Sequence, residues 1–242
     1  MIYVSKRDNS WSMAKYQRFL KENRGVGELA GYKAWLTVQD FPTKGRASRV
    51  KSQKTNRIHH FFSDMQTRCF YMFEWNDDVS DIREHYPLLD LQEVVKDNKD
   101  LKQDFFGKQE PPHILTTTFL LTLKNHKYAA REVKLSSDLE KKSVLERLEI
   151  ERRYWAAKNV DFAVITQKEI PTVMVKNIEW IHQSIDTFEE RGLTKELLQS
   201  YCRVLIDKFR SYNHSIRKIT TDFDKENNIE TGTGLYIFKY CE

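Results

Sequence analysis

The feature that most constrains this chain is the stretch Ile114–Leu135, which reads as a β-hairpin with a long amphipathic helix behind it. Ile114–Leu123 is β-branched and apolar, Lys124-Asn125-His126-Lys127 makes a turn, and Tyr128–Leu135 returns as the partner strand. The second arm carries Glu132-Val133-Lys134. Side chains alternate along a strand with period two, so the acid and the lysine share a face. Such a pair suits phosphodiester cleavage: the acid holds a divalent metal, and the lysine steadies an attacking water or developing charge. A plain salt bridge between the two is the competing reading of the same spacing.

The elements around the hairpin alternate in type. A short helix over about Trp11–Glu22 ends near Gly25 and Gly27, and Trp35-Leu36-Thr37-Val38 reads as a short strand. Ser63–Trp75 suits a helix with Met65, Cys69, Met72 and Phe73 as its buried stripe, which Gln66 flanks. Val79–Tyr86 is a strand stopped by Pro87, and residues 90–113 form a loop with a weak helix. Ser137, with Glu140 three residues on, carries a capping-box signature for a helix reaching about Lys158 with Leu139, Val144, Leu145, Leu148 and Trp155 inward. Asp161–Ile165 is a further strand and Pro171–Gln183 a further helix; Tyr154, Trp155 and Trp180 read as core. This order gives a mixed α/β core. From about Leu193 a second unit begins, with helices over Thr194–Tyr212 and Ser215–Glu226, too little by itself for an independent core.

Composition excludes several classes. At 242 residues the chain is long enough for one large or two modest domains, and its charged, aromatic-rich make-up is that of a globular protein. No apolar run approaches a membrane span, and the N-terminus lacks the apolar core of a secretory signal. Cys69, Cys202 and Cys241 match no zinc or disulfide pattern, which favours a reducing, cytoplasmic setting. The net charge is only +5, but Lys44, Arg46, Arg49, Lys51, Lys54, Arg57, His59 and His60 crowd into one segment without an acid. Such a segment can follow a nucleic-acid backbone through phosphate contacts; a solvated loop is the alternative. Arg217, Lys218 and Lys225 offer similar contacts, with solvated helix charges the commoner role.

Several segments together resemble one family: Tyr32–Asp40, Gly45-Arg46, Arg57–His60, Ser63-Asp64, Glu74-Trp75, Asp81–Glu84, Pro87–Leu89, Leu145–Trp155 and Val175–Trp180. The chain resembles the TnsA endonuclease subunits of heteromeric cut-and-paste transposases, over nearly its whole length. The resemblance implies an α/β fold with a restriction-endonuclease-like mixed sheet core flanked by helices. It also implies a partial winged-helix-type C-terminal domain, one that normally continues past Glu242. The expected divisions are an N-terminal helical extension over 1–29, the catalytic-type domain over 30–188 and the C-terminal domain over 189–242.

The same resemblance implies magnesium-dependent cutting of the 5′ ends of the element on double-stranded DNA, beside an integrase-like transposase subunit and an AAA+ regulator. The catalytic positions fall on Gln66, Thr118, Glu132 and Lys134, with Thr118 and Glu132 as the metal positions. Lys44, Arg46, Arg49, Lys51, Arg57, His59 and His60 are the expected DNA contacts. Two of the four catalytic positions depart from the family pattern: Gln66 and Thr118 stand where acids are expected. Magnesium prefers hard, charged oxygen ligands, so metal binding should be weak and cleavage impaired. An inactive DNA-binding and assembly scaffold is the alternative, and a restriction-like or repair nuclease acting alone is a third.

Overall fold

The structure is a computed structural model and describes residues 11–40, 46–106, 110–182 and 192–241. It divides into two compact units, Met1–Pro171 and Thr172–Glu242. No helix among the described residues is long and apolar enough to cross a membrane.

The first unit is built on a four-stranded sheet in the order β3 (Val79–Pro87), β4 (Thr116–Leu123), β5 (Tyr128–Val133), β6 (Asp161–Ile165). The first three strands are antiparallel, and β6 runs parallel to β5. The parallel step is made by the crossover helix α4 (Lys142–Ala157), which lays Ile150, Tyr154 and Trp155 on a core with Leu88, Leu115, Leu120 and Ala130. Helix α2 (Asp64–Trp75) buries Cys69, Phe70 and Phe73, and Phe73 meets Phe119 of β4 edge-on at 5.2 Å. A mixed sheet flanked by helices is the restriction-endonuclease-like core expected from the sequence.

A separate two-stranded ribbon, β1 (Ser48–Lys51) with β2 (Ile58–Phe61), is formed by the basic segment. Helix α1 (Met13–Lys21) is capped by Ser12, whose hydroxyl accepts the Lys15 N–H at 3.3 Å. Trp11, Phe19 and Trp35 stack edge-on behind it, with ring centres 5.2–6.3 Å apart.

Two local expectations are corrected. Trp35–Val38 is a turn and not a strand, because Asp40 accepts both the N–H and the hydroxyl of Thr37, at 2.8 and 2.7 Å, and folds the backbone back on itself. Ser137 does not cap the long helix. Residues Ser136–Glu140 form a 3₁₀ turn closed by bonds from Asp138 N–H to the Leu135 carbonyl and Lys141 N–H to the Asp138 carbonyl, and α4 starts at Lys142.

The second unit contains α5 (Thr172–His182), α6 (Lys195–Ser211), α7 (Ile216–Glu226) and α8 (Thr233–Tyr240). Contrary to the sequence expectation it has a core of its own: Leu193, Leu198, Leu205, Ile219, Phe223, Tyr236 and Ile237 cluster together. The reason is α8, which the Thr231–Gly234 run obscures. Asp224 of α7 accepts the N–H groups of Gly232 and Gly234, at 2.7 and 2.5 Å, and so anchors the start of α8. No strand lies among the described residues of this unit. Trp180 on α5 is 39% exposed and not core; the Lys239 ammonium sits 4.2 Å from its ring centre.

Candidate active site

The ladder between β4 and β5 ends at Phe119–Arg131, and beyond it the strands are joined by side chains. Here Thr118, Glu132 and Lys134 come together as alternation requires. The Glu132 carboxylate is 3% exposed. Its Oε2 accepts the Thr118 backbone N–H at 2.6 Å and the Thr118 hydroxyl at 2.8 Å. Its other oxygen, Oε1, accepts from Lys134 Nζ at 2.6 Å. The salt bridge that competed with the catalytic reading of Glu132-Val133-Lys134 is therefore formed. Burial works against the charge of Lys134, but Glu132 outweighs it and holds the ammonium above its ordinary value.

Gln66 lines the same cavity from the first turn of α2, whose N-cap Ser63 accepts its backbone N–H at 3.3 Å. Its side-chain Oε1 accepts the Phe62 N–H at 2.8 Å. All four sequence-derived positions, Gln66, Thr118, Glu132 and Lys134, thus border one cavity of about 520 Å³.

Two further residues enter this cavity that sequence reasoning did not assign. Glu151, 2% exposed, projects from α4, and its Oε2 accepts the Thr117 hydroxyl at 2.8 Å. That hydroxyl accepts the Trp155 indole N–H, also at 2.8 Å. Burial, and then the negative charge of Glu132, hold the Glu151 carboxyl well above the usual carboxylate range. The second is His85, in the middle of β3 with φ of +49° and skipped by the ladder between Glu84–Phe119 and Tyr86–Thr117. Its ring lies 4.8 Å from that of Phe62, and Nε2–H donates to the His60 carbonyl at 2.9 Å. Burial pushes the imidazole down to about 4 against the pull of Glu84, so it is neutral at pH 7. A signal for Glu151 was present: Leu148, Glu151 and Trp155 are spaced three and four apart, on one helical face.

The residues present do not fit the magnesium ion that the resemblance implies. Glu132 Oε2 accepts twice from Thr118 and Oε1 accepts from Lys134, the Gln66 oxygen accepts from Phe62, and Glu151 accepts the Thr117 hydroxyl with its carboxyl raised by burial and by the charge of Glu132. Among the described residues no three carboxylate, imidazole or thiol side chains converge as ligands. A magnesium ion needs hard oxygens with little else to do.

Models of the TnsA-like endonuclease N terminal and the TnsA endonuclease C terminal match residues 76–167 and 169–241. The Transposon Tn7 transposition protein TnsA of Escherichia coli is 35% identical over 236 residues, covering 96% of this chain and 84% of that protein. This chain belongs to the TnsA family of transposition endonucleases.

For a TnsA-family member, the basic segment divides unexpectedly. Arg46, Arg49 and Lys51 are exposed, and Arg49 and Lys51 lie two apart on β1 and so share a face. Arg57 and His59, two of the expected DNA contacts, are turned inward. Arg57 grips Glu84 with bonds of 2.9 and 2.6 Å, and His59 Nδ1 lies 2.8 Å from the same carboxylate. Burial resists ionisation of Glu84, but His59 and Arg57 together hold it well below its ordinary value. His60 is half-buried over this cluster, and Lys44 lies outside the described residues.

Proposed function

We propose that this chain serves transposition as a DNA-end-binding and assembly subunit whose strand-cleaving centre is impaired. The observation that carries this reading is Glu132, whose two oxygens are satisfied by Thr118 and Lys134 where an open ligand would be required. Freeing that carboxylate for a metal breaks a buried, charge-assisted pair, which opposes binding. Gln66 keeps an oxygen without the charge, and the Thr118 hydroxyl replaces a bridging acid with a neutral group.

The family's role in transposition supports double-stranded transposon ends as the DNA. It equally supports an integrase-like transposase subunit and an AAA+ regulator as partners, and cytoplasmic action. Exposed Arg46, Arg49 and Lys51 supply phosphate contacts. A second reading, a working metal-dependent endonuclease, is favoured by one observation, the presence of Glu151 and Glu132 on the same cavity. The two readings part in a nicking assay on element-end DNA with the partner transposase and magnesium. Strong 5′-strand nicking by the unaltered chain overturns the impaired-site reading, and nicking that appears only in Gln66→Glu/Thr118→Asp supports it.

A further inference from the structure

We propose that the two-stranded ribbon β1–β2 enters the major groove of duplex DNA, with Ile58 against base edges and Arg49 and Lys51 on the flanking phosphates. The proposal rests on the DNA-end-binding reading above and adds to it a residue that senses sequence. The register fixes which side chains share a face. Arg49 stands opposite His60 and Lys51 opposite Ile58, whereas Ser48 pairs with Phe61 and Val50 with His59. Directly opposed residues of an antiparallel pair project to the same side. Phe61 and His59 are fully buried, with Phe70 of α2 against both rings at 5.1 and 4.8 Å. The other side, Arg49, Lys51, Ile58 and His60, therefore points out.

This outer face has the make-up of a DNA contact. From Arg46 to Ser63 the chain carries no acid, so the ribbon itself offers nothing that repels a phosphate. Ile58 is 54% exposed beside these cations, an apolar group on a surface whose charge selects a polyanion. In the major groove the apolar feature of a base edge is the thymine C5 methyl, which apolar side chains recognise. Two strands about 4.8 Å apart fit a groove about 12 Å wide. The ribbon is also held still. Buried Glu74 of α2 accepts the Ser52 hydroxyl at 2.8 Å and the N–H groups of Gln53 and Lys54 at 2.5 and 3.2 Å. The Lys54 ammonium donates to the carbonyls of Asn76 and Val79, at 2.8 and 2.9 Å. A turn anchored in this way presents its outer face in one orientation, which lowers the ordering cost of binding. From β2 the chain runs straight into Phe62 and Gln66 of the cavity, so DNA read by the ribbon lies beside the candidate site.

The test is fluorescence anisotropy of the full chain on duplexes carrying the element's termini, with each thymine of either strand replaced in turn by uracil. Uracil lacks only the C5 methyl, so the readout is confined to the major groove. The expected result is about fourfold weaker binding when the thymine facing Ile58 is replaced, the effect of one buried methyl. Ile58→Ala is expected to abolish that difference and Ile58→Val to retain it. Ile58 is exposed, so both variants leave the inward face of the ribbon intact. Full binding with no thymine sensitive to the replacement, or the same sensitivity in Ile58→Ala, overturns the proposal and leaves DNA-end binding standing. If Ile58→Ala keeps the uracil pattern but loses the partner transposase, the face is a protein contact and the proposal fails. Absence of duplex binding by the unaltered chain refutes the DNA-end-binding reading itself, and this inference falls with it.

Discussion

At Glu151 two demands meet. The carboxyl is buried, and it faces the charge of Glu132, so the folded chain keeps its proton above the ordinary value of 4.5. Above that pH the unfolded chain has released a proton that the native state still binds. Stability contributed through this group therefore falls as pH rises from about 4.5 towards the raised native value. Glu151→Gln retains an oxygen for the Thr117 hydroxyl and abolishes the titration. The variant is expected to gain on the parent as pH rises, by at most about 1.4 kcal/mol per pH unit. Urea unfolding midpoints taken at about pH 5 and about pH 8 check this; parallel curves for the two proteins would refute it. The role of Glu151 was hidden because its neighbours, Glu149, Arg152 and Arg153, read as surface charge. Only its place between Leu148 and Trp155 marks it as inward. Lys134 and Glu132 were legible because a strand gives no choice of face.

Element by element, what could be read depended on whether the local period or a tertiary partner set the conformation. The β4–β5 hairpin, α2 and β3 follow from alternation and helical spacing, and the structure puts each within a few residues of its expected bounds. The Trp35–Val38 turn and the 3₁₀ turn before α4 are set by bonds that the sequence does not advertise, from Asp40 and from i→i+3 carbonyls. The basic segment was legible as charge, but its pairing into β1 and β2 decides which residues face out. Arg57 and His59 face in because Glu84 needs partners. The turn after α1 provides a test at this scale. Gly25 has φ of +79°, and a Cβ there would lie 2.2 Å from Pro87 Cγ at the end of β3. Gly25→Ala is expected to destabilise the first unit by about 2–3 kcal/mol, because backbone strain and overpacking act together. A thermal midpoint equal to the parent's would contradict this account of the turn.

For the whole molecule, the fold of a TnsA-family endonuclease is retained while its central polar cluster is satisfied from within. On the proposed function, phosphate contact and cleavage are separable properties. Replacing Arg46, Arg49 and Lys51 by alanine is expected to weaken binding to any duplex and to lower the slope of log affinity against log salt by about 2–3, at roughly 0.9 per cation. Fluorescence anisotropy across a salt series measures it. Arg57→Ala should instead lower stability, since it strips the buried Glu84 of its guanidinium. The measurement that bears most directly on the central claim is the rate of 5′-strand nicking on element-end DNA, with the partner transposase and saturating magnesium. The unaltered chain is compared with Gln66→Glu/Thr118→Asp. The account predicts at least about a tenfold faster rate in the double variant, equivalent to about 1.4 kcal/mol of barrier. Equal rates, with the unaltered chain cleaving efficiently, would show that Glu132, Thr118 and Lys134 form a working centre and would contradict it.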